Sequence, residues 1–227
     1  MGISEKKSND SILKIKHYLS LMVGKKTGLS VVPSINILMV LYENIINLTP
    51  DTVESGAKDR VFLSSGYEPM ALYAVMALLG FISPGMLKAY DKYGNKLKNH
   101  PDRNLFDCVE ISGGYYGYGL SVAVGSVIAS RTMDIRLKHW VLMEASELDK
   151  GANYEAITYS GRNSLSELNI ILVDKDPDGL GWARGAGLHF FAEGWDVSYT
   201  DGHNRQSLYE TFILSGFHKP RVIIVRI

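Results

Sequence analysis

Apolar segments and helix-like segments alternate along the second half of the chain. Four short apolar runs predict strands: "WVLMEA", "LNIILVDKD", "WDVSYT" and "RVIIVRI". Between them, residues 150–164, 181–192 and 204–216 have the apolar spacing of helices. Apolar strands that are separated by helices are typical of a mostly parallel sheet covered on both faces. The predicted fold class is therefore α/β, a three-layer sandwich with helices on both faces of a central sheet.

The first half of the chain predicts more helix than strand. A first helix is expected to begin at Asp10 or Ser11, after a disordered or extended segment over residues 1–9. Residues 31–47 predict a second, mostly apolar helix. "RVFLSSGYEP" then predicts a short strand with a turn, and "MALYAVMALLGF" predicts a buried helix. A loop-rich section leads to "GGYYGYGLSVAVGSVIAS", where glycines precede a helix with small side chains. Residues 10–227 are expected to form a single domain.

Composition and charge narrow the classes of partner. The 227 residues carry 24 basic and 24 acidic side chains, so the formal net charge is zero, which favours neither a nucleic acid nor an anionic membrane as partner. Cys108 is the single cysteine and lies in the mostly apolar "LFDCVEI", which favours a small buried residue over a nucleophile. No apolar run reaches the roughly 18 residues that span a bilayer, and the amino terminus is polar where a secretory signal is apolar. A cytoplasmic protein is expected.

Two of the predicted strands end in acidic turns. Glu144 and Glu147 follow one strand, and Asp174, Asp176 and Asp178 follow the next. A strand-helix-strand unit places its strand ends at one edge of the sheet, where ligands bind in open α/β folds. Oxygen ligands from two neighbouring turns suit Mg²⁺ or Ca²⁺. Capping of the following helix explains the same acidic residues without a ligand. The residues alone leave both interpretations open.

A series of segments, in order along nearly the whole chain, resembles motifs of the amino-terminal, diphosphate-binding domain of transketolases. The resemblance extends to the split enzymes, which encode this half as a separate subunit. The matching segments are Gly24-Lys25-Lys26-Thr27, Leu63-Ser64-Ser65-Gly66-Tyr67, Asn99-His100-Pro101-Asp102, Gly113-Gly114-Tyr115-Tyr116-Gly117-Tyr118-Gly119-Leu120, Gly194-Trp195-Asp196-Val197, Asp201-Gly202-His203-Asn204 and the closing "KPRVIIVRI".

The resemblance implies a cofactor, a ligand and a partner. The cofactor is thiamine diphosphate held by Mg²⁺, and the partner is a carboxy-terminal, pyrimidine-binding subunit, a second copy of the chain, or both. Positions that match cofactor-binding motifs are Gly114, Gly117, Gly119, Glu144, Ser146 and Asp176. Positions that match substrate contacts, with a sugar phosphate as the expected ligand, are Lys25, Tyr67 and His100. His100 is also the one candidate for a catalytic residue.

The metal-binding motif departs from the family pattern. Where the family has Gly-Asp-Gly-Glu-Leu, this chain has "EASEL", so the metal-binding aspartate is replaced by Ala145. Asp176 aligns with the family's second ligand, an asparagine, and is the remaining candidate for a metal ligand. Without a cation, Asp176 would place a negative charge beside a diphosphate, which is unfavourable in a partly buried site. Two family histidines are also replaced, by Lys25 and Tyr67, which do not exchange protons near neutral pH as an imidazole does.

Two hypotheses follow, and a third is weaker. The first is a transketolase-like subunit that has lost ordinary thiamine diphosphate binding and serves as a non-catalytic or repurposed partner. The second is the active diphosphate-binding half of a two-subunit transketolase that transfers a ketol unit between sugar phosphates. The third is a sugar-phosphate site with different chemistry, built on Lys25, Tyr67 and His100.

Overall fold

Five parallel strands form the centre of the molecule. The computed structural model describes residues 5–23, 32–64, 68–113, 116–175, 185–214 and 218–227. The strands are β1 (Arg60–Leu63), β2 (His139–Glu144), β3 (Leu168–Asp174), β4 (Asp196–Asp201) and β5 (Arg221–Arg226). They are hydrogen-bonded in the order β1-β2-β3-β5-β4, and every neighbouring pair is parallel. The prediction of a mostly parallel sheet is confirmed, and the described strands are all parallel.

Seven helices are described around this sheet. They are α1 (Glu5–Val23), α2 (Val32–Val40), α3 (Pro69–Leu78), α4 (Gly119–Thr132), α5 (Gly151–Arg162), α6 (Ala186–Ala192) and α7 (Arg205–Phe212). A π-helical turn, Leu41–Ile45, continues α2, and two 3₁₀ turns cover Pro84–Ala89 and Ala145–Asp149.

The sheet separates two apolar cores. Because side chains alternate across a strand, Val61 and Leu63 face one core and Phe62 faces the other. The first core is completed by α1, α2, α3 and α7, and the second by α4, α5 and α6. Both faces of the central strands are therefore dry, which explains why their sequences are apolar throughout and do not alternate with polar residues. The predicted three-layer sandwich is confirmed.

Helix boundaries differ from the predictions at several points. Helix α1 begins at Glu5, so residues 5–9 are helical and not disordered or extended, since lysine and glutamate are good helix formers. Both predicted capping residues, Asp10 and Ser11, lie inside this helix. Helix α6 begins at Ala186, and the predicted start at residue 181 lies outside the described residues. The extent of one domain over residues 10–227 stays a prediction.

Helix α7 ends at Phe212, before the predicted position 216, and a buried arginine accompanies this end. The Arg221 guanidinium donates hydrogen bonds to the carbonyl oxygens of Thr211 and Leu214, the second at 3.1 Å. Burial lowers the pKa of Arg221 to about 10. A cation at the last carbonyls of a helix satisfies acceptors that have no partner within the helix.

Two further predictions concern burial and membranes. Cys108 is buried, and its Sγ lies 3.7 Å from the Sδ of Met76. Burial raises the pKa of the thiol to about 11. A raised pKa is expected for a packed cysteine and not for a nucleophile. None of the described helices combines the length and apolarity that crossing a bilayer requires.

Candidate functional site

The candidate site lies at the edge where the parallel strands end. Ser64 follows β1, the turn Ala145–Asp149 follows β2, and Lys175 follows β3. In register, Glu144 at the end of β2 pairs with Val173, one residue before the end of β3. The topology therefore brings together chain segments that are separated by more than a hundred positions in sequence.

A buried glutamate organises this edge. Glu147 is fully buried, and its carboxylate accepts hydrogen bonds from the Ser64 hydroxyl at 2.5 Å, the Gly117 N–H at 3.3 Å and the Glu144 N–H at 3.1 Å. Its own carbonyl oxygen accepts a bond from Asn153 Nδ2 at 2.7 Å. One carboxylate thus connects the ends of β1 and β2 with the segment before α4.

Glu144 and Glu147 also form a reciprocal cap. The Glu144 side chain accepts from the backbone at Glu147, and the Glu147 side chain accepts from the backbone at Glu144. The capped element is the 3₁₀ turn Ala145–Asp149. Helix α5 begins afterwards, at Gly151, and its N-cap residue Lys150 makes no side-chain cap. The capping interpretation therefore accounts for both glutamates, although the element they cap is not the predicted helix.

Two glycines bring α4 close to this edge. Gly117 has φ +85°, a conformation that side chains rarely adopt, and a Cβ there would lie 2.6 Å from the Cβ of Lys150. A Cβ on Gly119 would lie 2.8 Å from the Cα of Ser64. Close packing of the backbone therefore requires both glycines, whether or not they also contact a cofactor.

The turn residues outside this buried network carry charge. Lys175 Nζ forms an ion pair with Glu144 Oε1 at 2.7 Å, and the Ser146 hydroxyl donates to Glu144 Oε2 at 3.3 Å. Glu68, in the left-handed region at φ 45°, interacts electrostatically with both members of this pair. Burial raises the pKa of Glu68, Lys175 lowers it, and Glu144 raises it further. The cluster therefore holds two carboxylates and one ammonium.

The described residues do not fit a magnesium ion. Mg²⁺ takes near-octahedral oxygen ligands, usually one or two carboxylates with substrate phosphates. Ala145, at the position where the resemblance predicts a metal-binding aspartate, is buried and has no side-chain oxygen. Glu144 is already paired with an ammonium, and Glu147 holds the buried network. Among the residues that the structure describes, no group of three His, Cys, Asp or Glu side chains is arranged to hold a metal.

Several predicted site residues lie outside the described part of the chain: Lys25, Tyr67, Gly114 and Asp176. The structure does bring together Gly117, Gly119, Glu144 and Ser146. His100 is exposed, in a segment that is tied to the glycines before α4 because the Pro101 carbonyl accepts a hydrogen bond from Gly113 N–H at 2.8 Å. Its assignment as a catalytic or substrate residue stays a prediction.

Sequence reasoning missed three residues of this edge. Ser64 holds the buried carboxylate, Lys175 pairs with Glu144, and Glu68 adds the second carboxylate of the cluster. A signal for Lys175 was present, because a lysine directly after a buried strand lies at the same edge as the preceding acidic turn. Nothing local in the sequence indicates which hydroxyl reaches Glu147.

Comparisons with known proteins agree with this architecture. Residues 25–227 match the family described as "Transketolase, thiamine diphosphate binding domain". The chain is 35% identical over 176 residues to "Ferredoxin fas2" of Rhodococcoides fascians, which covers 77% of this chain and 58% of that protein. It is 28% identical over 185 residues to one of the subunits of the apulose-4-phosphate transketolase of Phocaeicola vulgatus, which covers 78% of this chain and 65% of that protein. The chain thus spans less than two thirds of either relative.

A solved transketolase has the same fold. The transketolase from Leishmania mexicana superposes with a TM-score of 0.83 at 21% sequence identity, and the match covers 100% of this chain and 37% of that one. At this identity the likeness concerns the fold alone. Since the family match extends over most of the sequence, this chain belongs to the family of the transketolase thiamine diphosphate binding domain.

Proposed function

We propose that this chain is a transketolase-family subunit that has lost the ordinary magnesium-dependent anchor for thiamine diphosphate. It serves as a non-catalytic or repurposed partner in an assembly. The observation that carries this proposal is the ion pair between Lys175 and Glu144, next to Ala145 at the turn after β2. The family implies thiamine diphosphate as the cofactor, and the described residues at its expected anchor do not fit the metal.

Electrostatics support this proposal in two ways. A divalent cation at the turn would have to compete with the Lys175 ammonium for the Glu144 carboxylate, and two cations a few ångströms apart repel each other. Among the residues that the structure describes at this edge, a diphosphate without a metal would instead meet the carboxylates of Glu68 and Glu144 against the ammonium of Lys175. The cluster is therefore unfavourable for the cation and for the anion alike.

A partner surface is consistent with this role. Helices α4, α5 and α6, which cover one face of the sheet, carry large apolar side chains that are exposed: Val122, Ile128, Tyr154, Tyr159, Leu188 and Phe191. Apolar side chains that are exposed on these three helices are available for contact with another chain. We assign this surface to a carboxy-terminal, pyrimidine-binding subunit or to a second copy of the chain. The Phocaeicola vulgatus relative, whose name marks it as one component of a larger transketolase, supports a two-subunit arrangement.

The second candidate is the active diphosphate-binding half of a two-subunit transketolase. The buried network around Glu147 favours it, because the strand ends and the start of α4 are held in a preformed arrangement. In this case Asp176 would be the metal ligand, and Lys25, Tyr67 and His100 would contact a sugar phosphate.

Calorimetric titration separates the two candidates. Thiamine diphosphate with MgCl₂ is titrated into the chain together with the chains that copurify with it, since a site between subunits can require both. The matched variant restores the family motif by Glu144→Gly, Ala145→Asp and Ser146→Gly, and removes the ammonium by Lys175→Met.

We expect no binding heat from the natural chain and micromolar binding from the restored variant. Micromolar, magnesium-dependent binding by the natural chain that is lost in Asp176→Ala would overturn the proposal in favour of the active half. Circular dichroism and sedimentation confirm that each sample is folded and assembled. If neither the natural chain nor the restored variant binds, this turn alone does not account for the loss, and the role given to the Lys175–Glu144 ion pair is overturned.

A further inference from the structure

A polar cavity lies at the opposite edge of the sheet, where β1 begins. It has a volume of about 320 Å³, and its lining includes Lys58, Arg60, Arg103, Asp107 and Glu110. Arg60 and Ser64 stand at the two ends of β1, so the cavity is separated from the candidate site by about 13 Å of extended strand. It shares no lining residue with the edge around Glu147.

A buried ion-pair network forms the floor of this cavity. The Lys58 and Glu110 side chains are 6% and 5% exposed, and Lys58 Nζ lies 3.2 Å from Glu110 Oε1. Lys58 also donates to the carbonyl oxygens of Val53 at 2.5 Å and Asp107 at 3.1 Å. Arg60 Nη1 donates to Glu110 Oε2 at 2.9 Å. One buried carboxylate is thus shared by two cations, which leaves positive charge in excess on the floor.

A third cation stands at the rim. Arg103 Nη1 donates to the Glu110 backbone carbonyl at 2.9 Å, a bond that does not neutralise its charge. The bonds described for Arg60 and Arg103 use one Nη1 each, and a guanidinium has five N–H donors in a planar fork. Two carboxylates, those of Glu54 and Asp107, also line the cavity, and both residues are exposed, as Arg103 is. The three basic and three acidic residues of the lining therefore balance, and the positive charge in excess lies on the floor.

We propose that this cavity binds a phosphate dianion, either inorganic phosphate or the phosphate of a small monoester, between Arg60 and Arg103. Arginine forks match phosphate oxygens in bidentate geometry. A cavity of about 320 Å³ is at the small end of ligand pockets, which suits a compact anion. The surrounding charges are Lys58 and Glu110 on the floor and Glu54 and Asp107 at the rim. The proposal is independent of the function proposed for the opposite edge.

Binding at this cavity would also stiffen the loop before α4. Arg103 N–H donates to the Ser112 hydroxyl at 3.2 Å, and Gly113 N–H donates to Pro101 O at 2.8 Å, so residues 101–113 form one closed loop. An anion held by the Arg103 side chain fixes one side of that loop. The other side leads to the glycines that pack on Ser64.

The test is a titration of the full chain at constant ionic strength, with sodium phosphate in one arm and glycerol phosphate in the other. We expect saturable binding with a dissociation constant near or below a millimolar. Arg103→Gln and Arg60→Gln are each expected to weaken it about tenfold, since each removes a charge-assisted contact. Two controls are expected to bind within about twofold of the natural chain. They are Arg136→Gln, an exposed arginine elsewhere, and Lys175→Gln at the opposite edge.

The two titration arms compare the two kinds of phosphate, and the variants show which edge of the sheet binds the anion. Tighter binding of glycerol phosphate than of inorganic phosphate would identify a monoester as the natural ligand, and the reverse would identify free phosphate. Loss of binding in Lys175→Gln with retention in Arg103→Gln would move the anion to the other edge and overturn the proposal. Binding that is still not saturated at a phosphate concentration of about 30 mM, roughly thirty times the expected dissociation constant, would also overturn the proposal.

Discussion

Strand β1 has a buried glutamate near each of its ends, and the two are stabilised in different ways. Near the carboxyl end, Glu147 accepts hydrogen bonds from neutral donors, a hydroxyl and two backbone N–H groups. Near the amino end, Glu110 is paired with two cations, Lys58 and Arg60. Both carboxylates are almost completely removed from water.

This difference determines which substitutions can be tolerated near each end of β1. Backbone donors cannot be removed by mutation, so Glu147 is required by the path of the chain itself. The cations around Glu110 belong to side chains, so the pair can in principle be replaced together by apolar groups. The carboxyl end is therefore fixed by the fold, whereas the charges at the amino end belong to side chains and can be changed by substitution.

Removal of Glu147 should have the largest effect. Glu147→Leu leaves three donors without an acceptor, each at a cost of about 1–3 kcal/mol, so we expect a loss of about 3–9 kcal/mol in the free energy of unfolding. Urea unfolding of the variant measures it. Adding Ser64→Ala should recover little, because the Gly117 and Glu144 N–H groups remain. Full recovery in the double variant would contradict the role given to the backbone.

The corresponding change at the amino end should be partly reversible. Glu110→Leu leaves Lys58 buried and unpaired, which costs about 3–5 kcal/mol of unfolding free energy. Adding Lys58→Met removes that charge and should restore at least half of the loss, although two carbonyl oxygens lose their donor. A double-mutant cycle by urea unfolding gives the coupling. A cycle with no coupling would mean that the two side chains act independently, contrary to the ion pair.

Steric packing at the carboxyl end predicts a smaller effect. Gly119→Ala places a Cβ 2.7 Å from the Cβ of Ser64 and should cost about 1–3 kcal/mol. Gly125→Ala, in the same helix, meets no atom within 4 Å and should instead stabilise the chain by about 0.5–1 kcal/mol. Thermal unfolding of both variants measures the contrast. Equal effects of the same sign would show that helix propensity decides both positions.

The amino end should also respond weakly to pH. His139, which pairs with Arg60 in register, is buried, and its Nε2 lies 3.0 Å from the Ser126 hydroxyl. Burial lowers its pKa below the ordinary value of 6.5. The unfolded chain therefore binds more protons just below pH 6.5, so the free energy of unfolding should fall as the pH is lowered through that value and should be fully retained above it.

Unfolding at several pH values between 5 and 8 measures this trend, in the natural chain and in His139→Gln. The variant should reduce the slope without abolishing it, because burial also lowers the pKa of His189 and contributes with the same sign. His100→Gln, at an exposed position, serves as the matched control. An unchanged slope in His139→Gln would exclude this histidine as its source.

Much of the fold could be predicted from the sequence because the strands are buried on both faces. The apolar runs that form β2, β3 and β5 are typical of strands that lie between two layers of helices, and residues of these strands contact both cores. Helix ends were less predictable. The end of α7, for example, is accompanied by Arg221, a residue of a strand that pairs with β3 and β4. No local pattern in 204–216 contains that contact.

For the candidate site, the sequence by itself determined that the turn after β2 carries Ala145, which has no side-chain oxygen; its match to the family's metal-binding aspartate stays a prediction from the resemblance. The first point is a statement about which atoms exist, and it does not depend on packing. Only the tertiary structure decided how the remaining groups are used, because Ser64, Glu68, Glu144, Glu147 and Lys175 come from three strand ends that meet at one edge of a parallel sheet. The ion pair and the hydrogen bonds of the buried carboxylate join residues that are remote in the sequence. The sheet sets the distances between those residues.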